Sequence, residues 1–542
     1  MTDIEIPIGK RTKKYRFFEI LPGALSIALI LLPILLSIFS PLVAAGFIIV
    51  YIITWFVKAI GMAFRTVQGY DTLQRAQNVN WRRRLAELEN PARFIKTTRD
   101  KGWRHGVHLA NLQLLAGEPN HIKPSEVYNV AMIAIYNESR EVLEPTIQSV
   151  LQSQYNMDHL IIVIAYEERG GKEVEAMVHD LVKQYAQDCY YMTAIKHPKD
   201  IPHEVIGKGG NITYAGRQLA KWLDQEKLDP EHVIVTTLDS DNRPHPTFFS
   251  YLTYEYIVNP NRRHVAFQPI ALYLNNIWDV PAPMRVLATG NSFWTIINSL
   301  RPHMLRNFAA HAQPMAALID TDFWSVRTIV EDGHQFWRSY FTYDGHYDVV
   351  PIYVPIYQDA VLSATYRKTL KAQFIQVRRW AYGASDIAYV ADKGFRKGRT
   401  VPLFDLITKF LRLLESHVSW ATASLILSFG AWAPLLLNAQ ASRSIVAHQL
   451  PNIASTLQQI AIVGLFIMVF LTMRMLPPRP ARYKRHRNIF MLSQWVLMPV
   501  TSILYGASAA FYSQMRLMTG RYLDKFDLTE KAVKKSDNKT VV

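Results

Sequence analysis

Two carboxylates one residue apart, Asp239 and Asp241, follow the apolar run 232–238 in the stretch VIVTTLDSDNRPHP. At this spacing the two negative charges repel each other, and one would keep its proton unless a cation lay between them. Oxygen ligands of this kind favour Mg²⁺ or Mn²⁺. A solvated turn is the alternative, since Asp, Ser and Asn are also common in turns. The stretch is therefore a candidate metal site whose assignment depends on the rest of the chain.

Two more groups of residues downstream could take part in chemistry. The stretch TIVEDGHQFW contains a second acidic pair, Glu331 and Asp332, for which the alternative is a pair of solvated carboxylates at a helix start. The stretch QFIQVRRWAYG places Gln376, Arg379 and Trp380 together. The guanidinium group donates several hydrogen bonds to a diphosphate without titrating, and Trp offers a flat face to a ring-shaped substrate. The alternative for this stretch is a basic amphipathic helix at a membrane surface.

The elements that would position these groups lie in residues 125–395, where strand-like and helix-like patterns alternate. Strands are predicted at 127–137, 159–166, 190–197 and 232–238. This alternation predicts a mostly parallel α/β sheet, in which ligands bind at the carboxyl ends of the strands. Asp239 and Asp241 fall at such an end. Neither GxGxxG after the first strand nor GxxxxGK[ST] occurs, which argues against a dinucleotide dehydrogenase and a P-loop ATPase.

Long apolar segments flank this region. Residues 21–64 contain one charge, Lys58, and each half is long enough to cross a bilayer, which takes roughly 20 residues. Two further candidates are 417–438 and 454–476. Buried core helices are the alternative, but they are rarely so long and so poor in charge. A signal peptide is not indicated, because a second apolar run follows the first directly. The sequence predicts an integral membrane protein with four spans.

The distribution of Lys and Arg predicts the orientation of these spans. Basic residues precede the first span and follow the fourth, whereas the loop 439–453 has only Arg443. An inside N-terminus then places residues 65–416 in the cytoplasm. The net charge of +16 is mostly carried by membrane-proximal residues facing anionic lipid, so nucleic-acid binding is not indicated. The single cysteine, Cys189, excludes an intrachain disulfide.

The segment 489–514 is apolar enough to be a fifth span, but that would place the basic tail outside. Gln494, Pro499 and Gly506 interrupt it. We therefore expect an interfacial or re-entrant helix here.

Five short motifs occur in chain order between the apolar segments: YNE (136–138), KGGN (208–211), DSD (239–241), VED (330–332) and QVRRW (376–380). Their order resembles that of processive family 2 glycosyltransferases, the group that includes bacterial cellulose and hyaluronan synthases. The resemblance implies a glycosyltransferase-A type α/β domain, mostly parallel and Rossmann-like, inserted between transmembrane helices. It also implies an inverting reaction with a nucleotide-diphosphate sugar and Mg²⁺ or Mn²⁺.

The same resemblance assigns roles to individual residues. Asp239 and Asp241 match the metal and nucleotide-sugar motif, with Asp241 favoured as the direct ligand, and Asp332 matches the general base on the acceptor hydroxyl. The other positions that match substrate-binding residues are Tyr136, Glu138, Lys208, Asn211, Gln376, Arg379 and Trp380. For Lys208 and Asn211, a helix start is an equally good interpretation.

In one place the chain departs from the family pattern. Where relatives carry an Asp pair after the second strand, this chain has IAYEER (164–169), so that Glu167 or Glu168 could take over the role. The choice between uridine and guanosine donors is left open by this difference.

The tail contains a further resemblance. KFDLTEKAVK (525–534) is similar to the gating loop that folds over the active site of cellulose synthases, with Phe526, Leu528, Thr529 and Lys531 as the matching positions. A disordered polar terminus is the alternative. A gating loop must be cytoplasmic, and the basic tail favours the same side of the membrane.

Together these inferences predict a multi-pass protein of the cell (inner or plasma) membrane. It would polymerise sugar from a nucleotide-diphosphate donor, with UDP-sugars favoured, onto a growing polysaccharide or glycolipid acceptor and translocate the product across the membrane, with accessory subunits as further expected partners. A non-processive transferase with a lipid-linked acceptor is the main alternative; a haloacid-dehalogenase-type phosphatase and a non-enzymatic scaffold are weaker ones. The expected division is 1–19 basic N-terminus, 20–64 two spans, 65–124 linker helices, 125–395 catalytic domain, 396–416 interfacial helix, 417–476 two spans, 477–488 basic loop, 489–514 interfacial or re-entrant helix and 515–542 tail.

Overall fold

A computed structural model describes residues 4–98, 100–118, 120–439 and 445–523. Its centre is one eight-stranded sheet with the strand order β3-β2-β1-β4-β7-β6-β8-β5. The strands are β1 Tyr128–Ile135, β2 Leu160–Glu167, β3 Tyr191–His197, β4 Val233–Asp239, β5 Arg243–Pro244, β6 Val265–Leu272, β7 His311–Pro314 and β8 Asp348–Tyr357.

The sheet is mixed but mostly parallel. β1 pairs in parallel with β2 and β4, β2 with β3, and β6 with β8. The short β7 is antiparallel to both β4 and β6, and β5 is antiparallel to β8. β2 and β6 are buried along their whole length, as expected for apolar strands covered by helices on both faces. The predicted mostly parallel α/β fold between apolar helices is confirmed.

Helices precede, interleave with and follow the strands. They are α1 Lys13–Phe39, α2 Pro41–Gln77, α3 Trp81–Glu87, α4 Pro91–Thr97, α5 His105–Ala116, α6 Arg140–Leu151, α7 Gly171–Tyr185, α8 Lys208–Gln225, α9 Phe248–Val258, α10 Ala282–Ser299, α11 Met315–Asp320, α12 Glu331–Thr342, α13 Tyr366–Ala381, α14 Asp386–Gly394, α15 Leu403–Phe429, α16 Ala433–Leu437, α17 Ile445–Met475, α18 Arg487–Ser493, α19 Met498–Thr501 and α20 Ser508–Met518.

Five helical segments of the described chain are long and apolar enough to cross a membrane: Lys13–Phe39, Pro41–Gln77, Leu403–Leu437, Ala447–Met475 and Arg487–Met518. The first four correspond to the predicted spans, although α2 continues well beyond the predicted end. α15 joins the predicted interfacial helix and the third span into one continuous helix. The α2 extension lies directly on the α/β domain, because a Cβ atom on Gly69 would be 2.5 Å from Ile296 Cγ2 of α10.

The last apolar segment is irregular, as its sequence predicted. A 3₁₀ turn at 494–497 and a π-helical segment at 502–507 separate α18, α19 and α20. Gln494 is buried, and its Oε1 accepts a hydrogen bond from Arg285 Nε of α10 at 2.5 Å. The interfacial or re-entrant placement of 489–514 remains a prediction, since the segment is also long and apolar enough for a fifth span.

Candidate functional site

The carboxyl ends of β1 and β4 open into a cavity of about 950 Å³. The predicted site residues within the described chain all line it: Tyr136, Glu138, Lys208, Asn211, Asp239, Asp241, Asp332, Gln376, Arg379 and Trp380. The predicted gating positions Phe526, Leu528, Thr529 and Lys531 lie outside the described residues. The fold therefore brings together residues that are as far apart in the chain as 136 and 380.

A tight turn after β4 orients the two carboxylates. The backbone N–H of Asp239 donates to Asn242 Oδ1 at 3.0 Å, and Asn242 Nδ2 donates to Asp241 Oδ1 at 3.2 Å. The other oxygen of Asp241 accepts from the backbone N–H of Asp359, just after β8, at 3.1 Å. Asp241 is buried, whereas the Asp239 side chain is 34% exposed at the cavity. Two donors thus fix the Asp241 carboxylate before any ligand is bound.

Lys208 brings a positive charge to this turn. Its Nζ donates to Asp239 Oδ1 at 2.6 Å and to the carbonyl oxygen of Ala309 at 3.0 Å. Burial opposes the charge, but Asp239 and then Glu331 outweigh it and raise the pKa of Lys208. Lys208 is also the first residue of α8, so it is both a helix-start residue and part of the cavity wall.

Close packing places α8 beside the second acidic pair. A Cβ atom on Gly209 would be 2.3 Å from the Ser325 carbonyl oxygen and 3.1 Å from Glu331 Cβ. Only glycine at position 209 allows this approach, and it brings Lys208 within the electrostatic reach of Glu331 and Asp332. The close packing of α8 against Ser325 and Glu331 therefore requires the first glycine of the KGGN motif.

Glu331 and Asp332 are the first two residues of α12. The alternative interpretation, a pair of solvated carboxylates at a helix start, is right about the helix start. It is wrong about the solvation, because Glu331 is buried and both side chains line the cavity. Burial raises the pKa of both carboxyls, and in Glu331 the charge of Asp332 adds to the effect. Asp332 Oδ1 accepts from the Gly333 N–H at 2.7 Å. A carboxylate with a raised pKa suits proton transfer near neutral pH.

α13 supplies the cation and the ring of the QVRRW motif. Burial lowers the pKa of Arg379, while Asp239, Glu331 and Asp332 act in the opposite direction, so its guanidinium remains charged among the acids. The Trp380 ring centroid is 6.2 Å from that of Tyr273, and both rings line the cavity. One helix therefore presents a fixed cation and an aromatic face to the same space.

The loop after β1 is held by its own acidic residue. Glu138 Oε2 accepts from the N–H groups of Tyr136 and Asn137, at 2.7 and 3.2 Å. Asn211 Nδ2 donates to the carbonyl oxygens of Ile135 and Ala165, at 3.3 and 2.9 Å, and so ties the ends of β1 and β2 together. The structure thus gives Glu138 and Asn211 positioning tasks, and their substrate contacts remain predictions.

The structure distinguishes Glu167 from Glu168, between which the sequence left the choice open. Glu167 is buried and lines the cavity, and it pairs with His197 Nδ1 and with Arg169, both at 3.0 Å. Glu168 instead accepts the Lys199 backbone N–H at 2.9 Å. Glu167 is therefore the residue at the cavity.

Sequence reasoning missed several residues of the cavity wall. Tyr273 and Asp359 follow β6 and β8, and Asp386 begins α14. Tyr273 comes directly after the apolar run of β6, which was a signal for it, whereas Asp359 lies two residues after β8 and reaches the cavity through the pairing of β5 with β8. Asp386 had no such signal, and only the packing of α14 against α12 brings it to the cavity.

The cavity continues from the strand ends to the apolar helices. Its far wall is formed by Trp55 and Lys58 of α2, Trp294 of α10, and Ser419 and Trp420 of α15. Lys58 Nζ pairs with Glu415 Oε1 of α15 at 2.8 Å. The acids at the strand ends and the apolar helices thus line one cavity.

The carboxylates at the cavity are suited to a divalent cation whose coordination the substrate would complete. No cluster of three or more His, Cys, Asp or Glu side chains with metal-binding geometry occurs within the described residues. Asp239 and Asp241 nevertheless lie at the cavity, with Lys208 and Arg379 as nearby cations. Mg²⁺ is commonly held by one or two carboxylates plus phosphate oxygens and water, which is the arrangement this pair permits.

Comparison with solved structures returns glycosyltransferases at low similarity. A mannosyltransferase from Pyrobaculum calidifontis, solved with GDP-mannose and Mn²⁺, is 14% identical, has a TM-score of 0.38, and the match covers 82% of this chain and 99% of that one. Residues 1–349 of S. aureus TarS with UDP-GlcNAc give 10% identity, a TM-score of 0.34 and coverage of 73% and 93%. No protein-family model and no curated protein sequence matches the chain. At this level of similarity, function has to be argued from the cavity itself.

Proposed function

We propose that the protein is an inverting glycosyltransferase that moves sugar from a nucleotide-diphosphate donor to an acceptor reaching the site from the membrane. The observation that carries this proposal is the single cavity that joins the carboxylates after β4 to the walls of α2 and α15. A soluble acceptor would not need a cavity extending between apolar helices.

The donor would bind at the strand ends. Asp241 and Asp239 would hold Mg²⁺ or Mn²⁺, which supplies Lewis-acid stabilisation of the diphosphate leaving group. Arg379 would donate to the diphosphate oxygens, and Lys208 would add a second positive charge. These fixed cations stabilise the charge that develops as the bond to the sugar breaks. Tyr136 and Glu167 line the same cavity and are the candidate contacts to the nucleoside.

The acceptor would be activated by Asp332. A sugar hydroxyl is a weak nucleophile and needs a carboxylate within hydrogen-bond reach to take its proton. Asp332 and Trp380 line the same cavity as the donor residues, and the flat ring of Trp380 suits a sugar face. Attack by the hydroxyl from the side opposite the diphosphate inverts the anomeric carbon.

The alternatives differ in product. A processive enzyme would extend a polysaccharide along the cavity and pass it into the membrane, whereas a non-processive one would add one sugar to a lipid-linked acceptor. The aromatic side chains Trp55, Trp294 and Trp420 line the far cavity and would offer flat faces to sugar rings in either version.

The test uses the full chain in nanodiscs with a panel of radiolabelled UDP- and GDP-sugars and Mn²⁺. We expect one donor to transfer its label, and size fractionation then separates long polymer from labelled lipid. Release of no nucleotide from any donor would contradict the proposal.

A further inference from the structure

One part of the cavity wall is basic and has no role in the mechanism above. It is formed by the loop before β7, by α12 and by the part of α15 from Lys409 to His417, and we call it the basic wall. Its residues are Arg306, Trp337, Lys409, Arg412 and His417.

Arg306 is held by rings and not by carboxylates. Its guanidinium carbon is 4.3 Å from the ring centroid of Phe336 and 4.2 Å from that of Trp337. Cation–π contacts fix the plane of the group without using its N–H donors. Within the described part of the chain Arg306 makes no hydrogen bond or ion pair. Its donors are therefore available to a ligand in the cavity.

Arg412 adds a second positive charge beside the first. Burial lowers the pKa of Arg306 to about 10, the charge of Asp386 opposes this effect and the charge of Arg412 adds to it, so the Arg306 guanidinium is charged at neutral pH. The acids nearby are engaged elsewhere. Asp386 pairs with His334 at 2.6 Å, and Asp405 pairs with Lys409. An anion placed between the two guanidinium groups would relieve their repulsion.

His417 gives an independent sign of a missing partner. Its side chain is 91% buried and lines the cavity, yet its Nδ1 has no hydrogen-bond partner among the described residues. A buried polar atom without a partner costs free energy unless a ligand or water satisfies it.

The location of the basic wall points to a lipid as the source of the anion. Lys409 and Arg412 are in the first turns of α15, and the apolar part of this helix begins just after them. Charged side chains are favoured at the membrane–water boundary and not in the hydrocarbon. An anionic head at Arg306 and Arg412 would therefore have its apolar chain along α15, beside Trp420.

We propose that the basic wall binds a phosphate or diphosphate group carried by a lipid-linked acceptor. Bound there, the acceptor would present its sugar hydroxyl to Asp332, which is on the same helix as Trp337. The inference rests on the proposed glycosyltransferase function and adds the chemical class of the acceptor.

The test measures binding of farnesyl phosphate to the full chain in phosphatidylcholine nanodiscs, with UDP and Mn²⁺ present to occupy the donor site. We expect R306Q and R412Q each to weaken binding about tenfold or more, the scale of a lost charge-assisted hydrogen bond. R82Q is the matched control, because Arg82 is an exposed arginine of α3 that makes no ion pair within the described chain. Farnesol, which lacks the phosphate, should bind at least tenfold more weakly than farnesyl phosphate.

Several results would overturn the proposal. Equal affinity for farnesol and farnesyl phosphate would show that the phosphate is not recognised. R412Q should fold, because Arg412 lies on an exposed helix face. Unchanged affinity of this variant for farnesyl phosphate would show that the basic wall is not the binding site. Displacement by inorganic phosphate at equal concentration would assign the site to free phosphate, and loss of binding in phosphatidylglycerol nanodiscs would assign it to bulk anionic lipid. Failure of both UDP and GDP to bind would defeat the proposed function separately and leave the farnesyl phosphate result intact.

Discussion

His197 lies at the end of β3 and supports the cavity wall through Glu167. Its Nδ1 is 3.0 Å from Glu167 Oε1 and its Nε2 is 2.9 Å from Glu204 Oε2, and the ring is buried. Burial alone would lower the pKa of His197, but the two carboxylates raise it to about 9. The substitution His197→Gln keeps a polar side chain and removes the titrating group.

The raised pKa of His197 determines how the unfolding free energy of the protein changes with pH. The folded state binds the proton more tightly than the unfolded chain, whose histidine pKa is about 6.5. The stabilisation is therefore fully present below pH 6.5 and is lost as the pH rises through about 9. The difference between the two values corresponds to about 3 kcal/mol of unfolding free energy.

The assay is thermal unfolding in detergent, followed by tryptophan fluorescence between pH 6 and pH 10. The melting temperature of the wild type should fall between pH 7 and pH 9.5, and that of His197→Gln should change much less over this interval. His346→Gln is the matched control, since His346 is exposed and forms no hydrogen bond or ion pair through its side chain within the described residues. Equal pH profiles for the wild type and His197→Gln would show that the protonation of His197 does not stabilise the fold.

Three further predictions concern the site and the topology. Asp332→Asn should lower turnover by about 100-fold or more, the usual contribution of a positioned base, with nearly unchanged nucleotide affinity by titration; normal turnover would remove Asp332 from the mechanism. Trp380→Ala should shorten the product or weaken acceptor use more than it weakens donor binding, measured by product sizing beside nucleotide titration; the opposite pattern would reassign the ring to the donor. A cysteine introduced at Ser536 should react with an impermeant maleimide only in inverted vesicles, because the basic tail favours the cytoplasm; labelling from outside would contradict both the topology and the gating loop.

Much of the site could be predicted because its parts are local. Asp239 and Asp241 follow a strand whose apolar run is unbroken, and the ends of parallel strands meet at one edge of a sheet. Lys208 was placed beside them only by the resemblance of its motif, and the structure shows that it also begins the helix before that strand. Local patterns of this kind can be recognised in the sequence, since each depends on one element and its position in the sheet.

The remaining residues depend on contacts between distant segments. Asp359 reaches Asp241 because β5 pairs with β8, a strand more than 100 residues later in the chain. Arg306 joins the cavity because two rings of α12 hold its guanidinium, and no local pattern indicates such packing. α15 runs unbroken from Leu403 to Phe429, across the predicted boundary at 416, and the interfacial placement of its first part stays a prediction.

The central claim is that the carboxylates after β4 serve a nucleotide-sugar reaction with a divalent cation. The most direct test is release of nucleotide from the donor panel by the full chain, comparing the wild type, Asp241→Asn and the surface control Asp180→Asn, with Mn²⁺ and with EDTA. Asp180 is 60% exposed and pairs only with surface groups. We expect release by the wild type and by Asp180→Asn with Mn²⁺, and none by Asp241→Asn or in EDTA. Full release after exhaustive chelation, or by Asp241→Asn, would contradict it.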